Sequence, residues 1–182
     1  TAMAQAQRKL VYHIATSVDG YIARADGSVD FFPSEGDHIP DYIAHLQNDY
    51  AAVVMGKNTY DMGLKHGVTD PYPWLDSYVV SKSITRSPNE RVKIWNGSPA
   101  GLVTELKAQA GKPIYLCGGS QLAAALFAQG LIDELILKVN PVLLGGGGMS
   151  LTTALPQHVP LRLTGDKRYQ SGVVLLTYDV VR

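Results

Sequence analysis

Two stretches of this sequence put a glycine break between an apolar run and a polar segment: Met55-Gly56-Lys57-Asn58-Thr59 and Cys117-Gly118-Gly119-Ser120-Gln121. Each reads as the end of a buried strand followed by a helix start. The first N–H groups of a helix have no intrahelical partner and carry partial positive charge, so such starts bind phosphates, and glycine lets a phosphate approach the backbone. In open parallel sheets both points fall at the carboxyl ends of strands, where ligands collect. Each alone is equally a tight strand-to-helix turn, and neither is a GxGxxG fingerprint or a Walker loop. Two in one small domain point to a dinucleotide. Lys57 stands at the first helix start, where its ammonium either pairs with an anion or is merely solvated, and Ser81-Lys82-Ser83 adds hydroxyls and a second cation. A bare ribose diol calls for an acidic partner, so this set favours NADP over NAD.

The elements that must position these residues alternate between strand and helix patterns, as in a mainly parallel sheet with crossover helices. Strands are expected over 9–15, 51–55, 77–80, 92–95, 113–117 and 131–139, and helices over 57–62, 99–109 and 120–129. A further helix contains Pro40 in its first turn, where a missing N–H does no harm. Ser17-Val18-Asp19-Gly20 and Asp26-Gly27-Ser28 read as turns, and the four glycines from Gly145 to Gly148 are too flexible for an element interior. Segments 161–169 and 173–181 form a closing antiparallel pair about a Gln170-Ser171-Gly172 turn. The fold class is α/β. Residues 8–182 read as one domain, preceded over 1–7 by a disordered lead or expression remnant without a signal-peptide layout.

Composition excludes several functions. The chain has 182 residues, 46% apolar, with 16 basic and 16 acidic side chains and zero formal net charge. Only 18% of residues are charged, below the roughly 25% of an average domain, which excludes a disordered chain. With no Lys/Arg-rich run there is no footprint for nucleic acid. Cys117 is the single cysteine and the five histidines show no HxH or HExxH spacing, so neither a disulfide nor a metal site is expected, although His38 and His45 share a helix face. No apolar run reaches the roughly 18 residues of a membrane span. A cytoplasmic protein acting on a small molecule is expected.

As an ordered set, several motifs resemble the C-terminal reductase domains of the bacterial bifunctional deaminase-reductases of riboflavin biosynthesis, within the dihydrofolate reductase superfamily. Ser17-Val18-Asp19-Gly20-Tyr21-Ile22-Ala23 is similar to SxDGxxA, and Met55-Gly56-Lys57-Asn58-Thr59-Tyr60-Asp61 to MGRxTYE with Lys in place of Arg. Val80-Ser81-Lys82-Ser83 resembles a short nucleotide-contacting segment. Gly118-Gly119-Ser120-Gln121-Leu122, then Gly130-Leu131-Ile132-Asp133-Glu134-Leu135 and Asn140-Pro141-Val142-Leu143-Leu144-Gly145, follow the family's order. No deaminase zinc motif precedes them, so a single activity is expected.

The resemblance implies a three-layer dihydrofolate reductase-like fold whose mostly parallel central sheet has about eight strands and an antiparallel C-terminal hairpin. It implies NADPH, often a homodimer, and a cis peptide between Gly118 and Gly119. Ala15 and Ser17 would line the nicotinamide, and Gly56, Lys57, Asn58 and Thr59 would hold adenosine-side phosphates. Ser81, Lys82 and Ser83 would flank the adenosine, and Gly118, Gly119, Ser120, Gln121 and Leu122 would wrap the diphosphate and its ribose. Lys offers a point charge where Arg offers a fork, which loosens cofactor preference. At the reacting end the candidates are Ser17, Asp19 and Asp41. Dihydrofolate reductases carry a pterin-binding carboxylate near Asp41, though Asp41 is equally a helix-start charge and Asp19 equally a turn residue. Arg24, Lys65 and Arg168 are available for a substrate phosphate. The expected activity is an NADPH-dependent reduction of a heterocyclic or ribosylated pyrimidine similar to 5-amino-6-(5-phosphoribosylamino)uracil. The alternatives are a pterin reductase and a nucleotide-binding protein without catalysis.

Overall fold

The computed structural model describes residues 7–182. The lead expected over 1–7 therefore lies, apart from Gln7, outside the described residues. Apolar runs of strand length supply the central sheet: β1 (Leu10–Thr16), β3 (Ala52–Gly56), β4 (Asp76–Val80), β5 (Val92–Trp95), β6 (Ile114–Gly118) and β7 (Glu134–Val139). These six are parallel neighbours in the order β5-β4-β3-β6-β1-β7. The C-terminal pair β9 (Leu161–Arg168) and β10 (Val174–Val180) adds antiparallel beyond β7, completing eight strands. A short antiparallel pair, β2 (Tyr21–Ala23) with β8 (Met149–Ser150), was absent from the sequence expectation. Strands of three and two residues carry no periodicity to read.

Side-chain alternation sorts the core into two faces. Val11, Val53, Met55, Tyr115 and Ile136 form one buried cluster with Leu46 of α1 (His38–Asn48) and Tyr60 of α2 (Lys57–Lys65). Leu10, Tyr12, Val54, Ile114 and Leu116 form the other, against α3 (Pro99–Lys107) and α4 (Ser120–Ala128). Helices on both faces explain why β3 is apolar throughout rather than alternating. The strand expected over 131–139 begins only at Glu134. Leu131 N–H closes the end of α4 on the Leu126 carbonyl, and Asp133 is drawn inward. Its Oδ2 accepts from Leu10 N at 2.8 Å and Lys107 Nζ at 2.6 Å, and its Oδ1 from Arg182 Nη1 at 3.0 Å. The aspartate of the Gly-Leu-Ile-Asp motif thus ties α3 and Arg182 to the start of β1.

Candidate active site

β3 and β6 are neighbours, yet α2 leaves β3 onto one face of the sheet and α4 leaves β6 onto the other. Strands whose following helices diverge leave a crevice at their carboxyl ends. Both glycine breaks sit in it. A Cβ placed on Gly56 would lie 3.7 Å from both the Gly118 carbonyl and the Gly119 nitrogen, so the two turns touch backbone to backbone. Gly118 and Gly119 are joined by a cis peptide bond.

The two helix starts differ from a third in the same protein. At α3, Ser98 accepts from the Gly101 N–H and satisfies the helix end. At α2 and α4 the capping residues are Gly56 and Gly119, with no side-chain cap bond. Their leading N–H groups are left free of side-chain acceptors, at the mouth of the crevice. From there a groove of about 1020 Å³ runs across the sheet's carboxyl edge. Ala15, Gly56, Lys57, Asn58, Thr59, Ser81, Lys82, Ser83, Gly119, Ser120, Gln121 and Leu122 all line it. Lys57 Nζ donates to Asp61 at 2.8 Å, one helical turn on. Ser81, 5% exposed, accepts from the Ser83 and Ile84 N–H groups at 3.2 and 3.0 Å, so its hydroxyl shapes the turn that presents Lys82.

A further part of the groove wall is made of residues outside the expected site set. His13, Phe32, Tyr42, Tyr72, Tyr115 and Cys117 come from five separate stretches of chain. Tyr42 and Tyr115 hydroxyls lie 3.4 Å apart, and the Tyr72 hydroxyl is 3.3 Å from Cys117 Sγ. Burial pushes the Tyr42 phenol up to about 12 and raises Tyr72, Tyr115 and the Cys117 thiol as well, so all four are uncharged donors at neutral pH. Among the described residues no Asp or Glu lines this groove, and its only formal charges are Lys57 and Lys82. The one sequence signal for the cluster was Tyr115 and Cys117, two apart on the strand that ends at Gly118, hence on one face.

None of the three residues expected at the reacting end, Ser17, Asp19 and Asp41, lines the groove. Ser17 Oγ donates to Asp19 Oδ1 at 2.5 Å and accepts from Tyr21 N at 3.0 Å. Asp19 also accepts from Leu144 N and Gly145 N, each at 3.0 Å, which holds the glycine-rich loop. The hydrogen bond from Ser17, with those from the loop, holds its carboxyl down to about 2. Asp41 faces outward from α1, ion-paired with Lys167 and accepting from the Tyr169 hydroxyl at 3.0 Å. It borders a separate cavity behind Tyr42. Arg24 pairs with Asp30 at 2.6 Å, and neither it nor Lys65 or Arg168 lines the groove.

Comparison with known proteins fits this architecture. Over 172 residues the chain is 33% identical to the uncharacterized protein YwjB of Bacillus subtilis (strain 168), covering 93% of this chain and 97% of YwjB. It superposes on the structure of a candidate riboflavin biosynthesis protein from Shewanella sp. PV-4 with a TM-score of 0.81 and 27% identity, covering 96% and 99% of the two chains. Dihydrofolate reductase from Enterococcus faecalis, complexed with NADP(H) and RAB-propyl, shares the fold at a TM-score of 0.73 and 15% identity, over 97% and 98% of the chains. Residues 8–175 match the model of the RibD C-terminal domain, and the chain belongs to that family, on a dihydrofolate reductase-like fold.

Proposed function

We propose that the chain is an NADPH-dependent reductase that transfers hydride to a small heterocyclic or ribosylated pyrimidine, similar to 5-amino-6-(5-phosphoribosylamino)uracil reductase. The observation that carries this reading is the pair of glycine-capped helix starts, α2 and α4, which have no side-chain cap and whose first residues line one groove. Two such starts side by side suit a diphosphate, and the flanking Lys57 and Lys82 suit a further phosphate. Gly119 and Ser120 would hold the diphosphate, Ser81, Lys82 and Ser83 the adenosine side, and Ala15 the nicotinamide end. The bound cofactor supplies the hydride.

The chain's own residues orient the acceptor. Tyr42, Tyr72 and Tyr115 keep their protons, so they donate hydrogen bonds to negative charge developing on the reduced group without being ionised themselves, and the proton that completes the reduction comes from water. Their rings, with Phe32, form flat walls suited to a planar heterocycle. Ser17 and Asp19 act one step removed, by fixing the Gly145 loop. A groove free of carboxylates among the described residues weighs against the pterin alternative, which draws on an acidic partner. The deciding experiment follows NADPH absorbance with 5-amino-6-(5-phosphoribosylamino)uracil and, separately, with dihydrofolate. Turnover of the first and not the second is expected. Tight NADPH binding with no turnover of either would reassign the chain as a nucleotide-binding protein, and absence of NADPH binding would overturn the reading entirely.

A further inference from the structure

Tyr42 borders two hollows at once: the groove, and a second cavity of about 310 Å³ between α1 and the β1-β7-β10-β9 half of the sheet. Its hydroxyl lies 3.4 Å from that of Tyr115, which borders the groove and not the second cavity. Lys138 borders the second cavity and not the groove. Cross-strand register sets Ala15, Lys138, Leu175 and Lys167 in one row across those four strands, so Lys138 is the direct neighbour of Ala15, where β1 reaches the groove. From there its ammonium lies over the ring of Tyr42, 3.6 Å from the centroid. The His13 ring stands nearly perpendicular to the same ring, at 80° with centroids 5.4 Å apart, and helps to hold it under the cation.

The ring, and not a carboxylate, is the partner of this cation. α1 brings His38, Asp41, His45 and Asp49 to the second cavity, β1 brings His13 and β9 brings Lys167. Asp41 is taken by Lys167 and the Tyr169 hydroxyl, and Asp49 lies 3.1 Å from His45. Burial draws the Lys138 ammonium down to about 8, so it carries its charge at neutral pH and gives it up in mild base. A cation on an aromatic face is held by the ring's electrons and pulls them toward itself. In a phenol that pull makes the O–H a stronger donor, and away from bulk water the effect is weakly screened. Tyr42, pushed up to about 12 by burial, stays protonated on either side of the Lys138 titration. What Lys138 changes is therefore the strength of the Tyr42 hydrogen bond and not its charge.

We propose, on the reductase reading of the groove, that Lys138 is a positioning residue for the reaction: seated on the ring of Tyr42 from behind the groove wall, it strengthens the hydroxyl that Tyr42 offers to the acceptor. The stronger donor acts on the negative charge that builds up on the acceptor as hydride arrives. The hydride comes from the cofactor and the completing proton from water, so Lys138 transfers nothing. In the protein without cofactor, the ¹³Cζ signal of Tyr42 should step as pH passes about 8, and the step should vanish in Lys138→Met. In turnover, Lys138→Met should lower kcat about tenfold with little change in KM for the acceptor, and Lys138→Arg should restore most of it. The wild-type kcat should fall as pH rises past about 8, and that of Lys138→Arg should not. On a Tyr42→Phe background Lys138→Met should cost nothing further, because the hydroxyl it acts through is gone. Lys138→Gln repeats each measurement should Met disturb folding. A Tyr42 signal that stays flat across pH 8 would overturn the proposal, as would a Lys138→Met loss equally large on the Tyr42→Phe background. A wild-type protein that turns over no acceptor would overturn the reading of the groove, whereas the Tyr42 signal decides the coupling to Lys138 in either case.

Discussion

Asp133→Asn keeps the size of a side chain on which three donors converge and removes its charge. Lys107 is 8% exposed and donates to Oδ2 at 2.6 Å; the aspartate side chain itself is 18% exposed. After substitution the Lys107 ammonium stays inside with no ion partner. Stripping one member from a buried pair costs about 3–5 kcal/mol, and the low end, about 3 kcal/mol, applies here because Arg182 is half exposed and water reaches Oδ1. For a domain of this length each kcal/mol moves Tm by about 2–4 °C, so a fall of about 6–12 °C is expected. Urea denaturation at neutral pH gives the free energy directly, with an unchanged m value showing that the folded state is otherwise intact. The double variant Lys107→Met/Asp133→Asn should recover most of the loss, since it leaves no stranded charge and keeps a side-chain oxygen to accept from Leu10 N. NADPH affinity should not change, because Asp133 meets the amino end of β1 and the groove lies at its carboxyl end. Asp133→Asn within about 1 kcal/mol of wild type, or a double variant as unstable as the two single changes added together, would refute the reasoning.

Acid should destabilise the protein before its carboxylates titrate. His13 is held near 3 in the folded chain against an ordinary 6.5, so the unfolded chain binds the extra proton in between; stability is full above about pH 6.5 and falls by about 1.4 kcal/mol per pH unit below it, His38 adding in the same direction. A urea midpoint that stays flat between about pH 6.5 and 4.5 would contradict this. Gly119→Val should weaken NADPH binding at least tenfold, about 1.4 kcal/mol, because the new methyls enter the groove. The added Cβ meets only Thr59 Oγ1 at 3.6 Å, so the variant should fold, and unchanged affinity would remove Gly119 from the diphosphate site. Lys57→Ala should erase most of a ten- to hundredfold preference for NADPH over NADH, about 1.5–3 kcal/mol, while Lys57→Arg keeps it, as kcat/KM for both cofactors will report. Equal loss on both cofactors would show that Lys57 serves the shared diphosphate or its Asp61 partner instead.

What could be read from the sequence was whatever depends on neighbours along the chain. Continuous apolar runs such as Ala52 to Met55, glycines before polar helix starts and the C-terminal hairpin all announce themselves within a few residues. The site's tyrosines did not, because Tyr42, Tyr72 and Tyr115 meet only after three crossovers have been laid side by side. Asp41 illustrates a different limit. It stands next to Tyr42 in α1, but one residue is about 100° of helix rotation, enough to turn a carboxylate from the groove toward Lys167. Asp19 was visible as a turn residue or an acid; that its carboxylate anchors Leu144 and Gly145 follows from a contact 125 and 126 positions away. The β2–β8 pair is likewise tertiary in origin, positioned by bonds such as Leu151 N–H to the Gly20 carbonyl and Tyr12 hydroxyl to the Leu151 carbonyl.

The place of β1 in the strand order has a consequence for how the protein is made. It is the first strand of the sheet to leave the ribosome, and it lies inside the sheet between β6 and β7, with Leu10 N–H waiting for a carboxylate 123 residues further on. At roughly 5–20 residues per second that wait is on the order of ten seconds. Meanwhile β3, β4 and β5 can pair with one another, each the neighbour of the next, whereas Leu-Val-Tyr-His-Ile-Ala trails as an uncovered apolar segment. Long-range parallel pairing of this kind is slow even in the finished chain. The nascent protein therefore has a defined window in which chaperone capture or aggregation competes with folding, and the window closes only when β7 has emerged to take its side of β1.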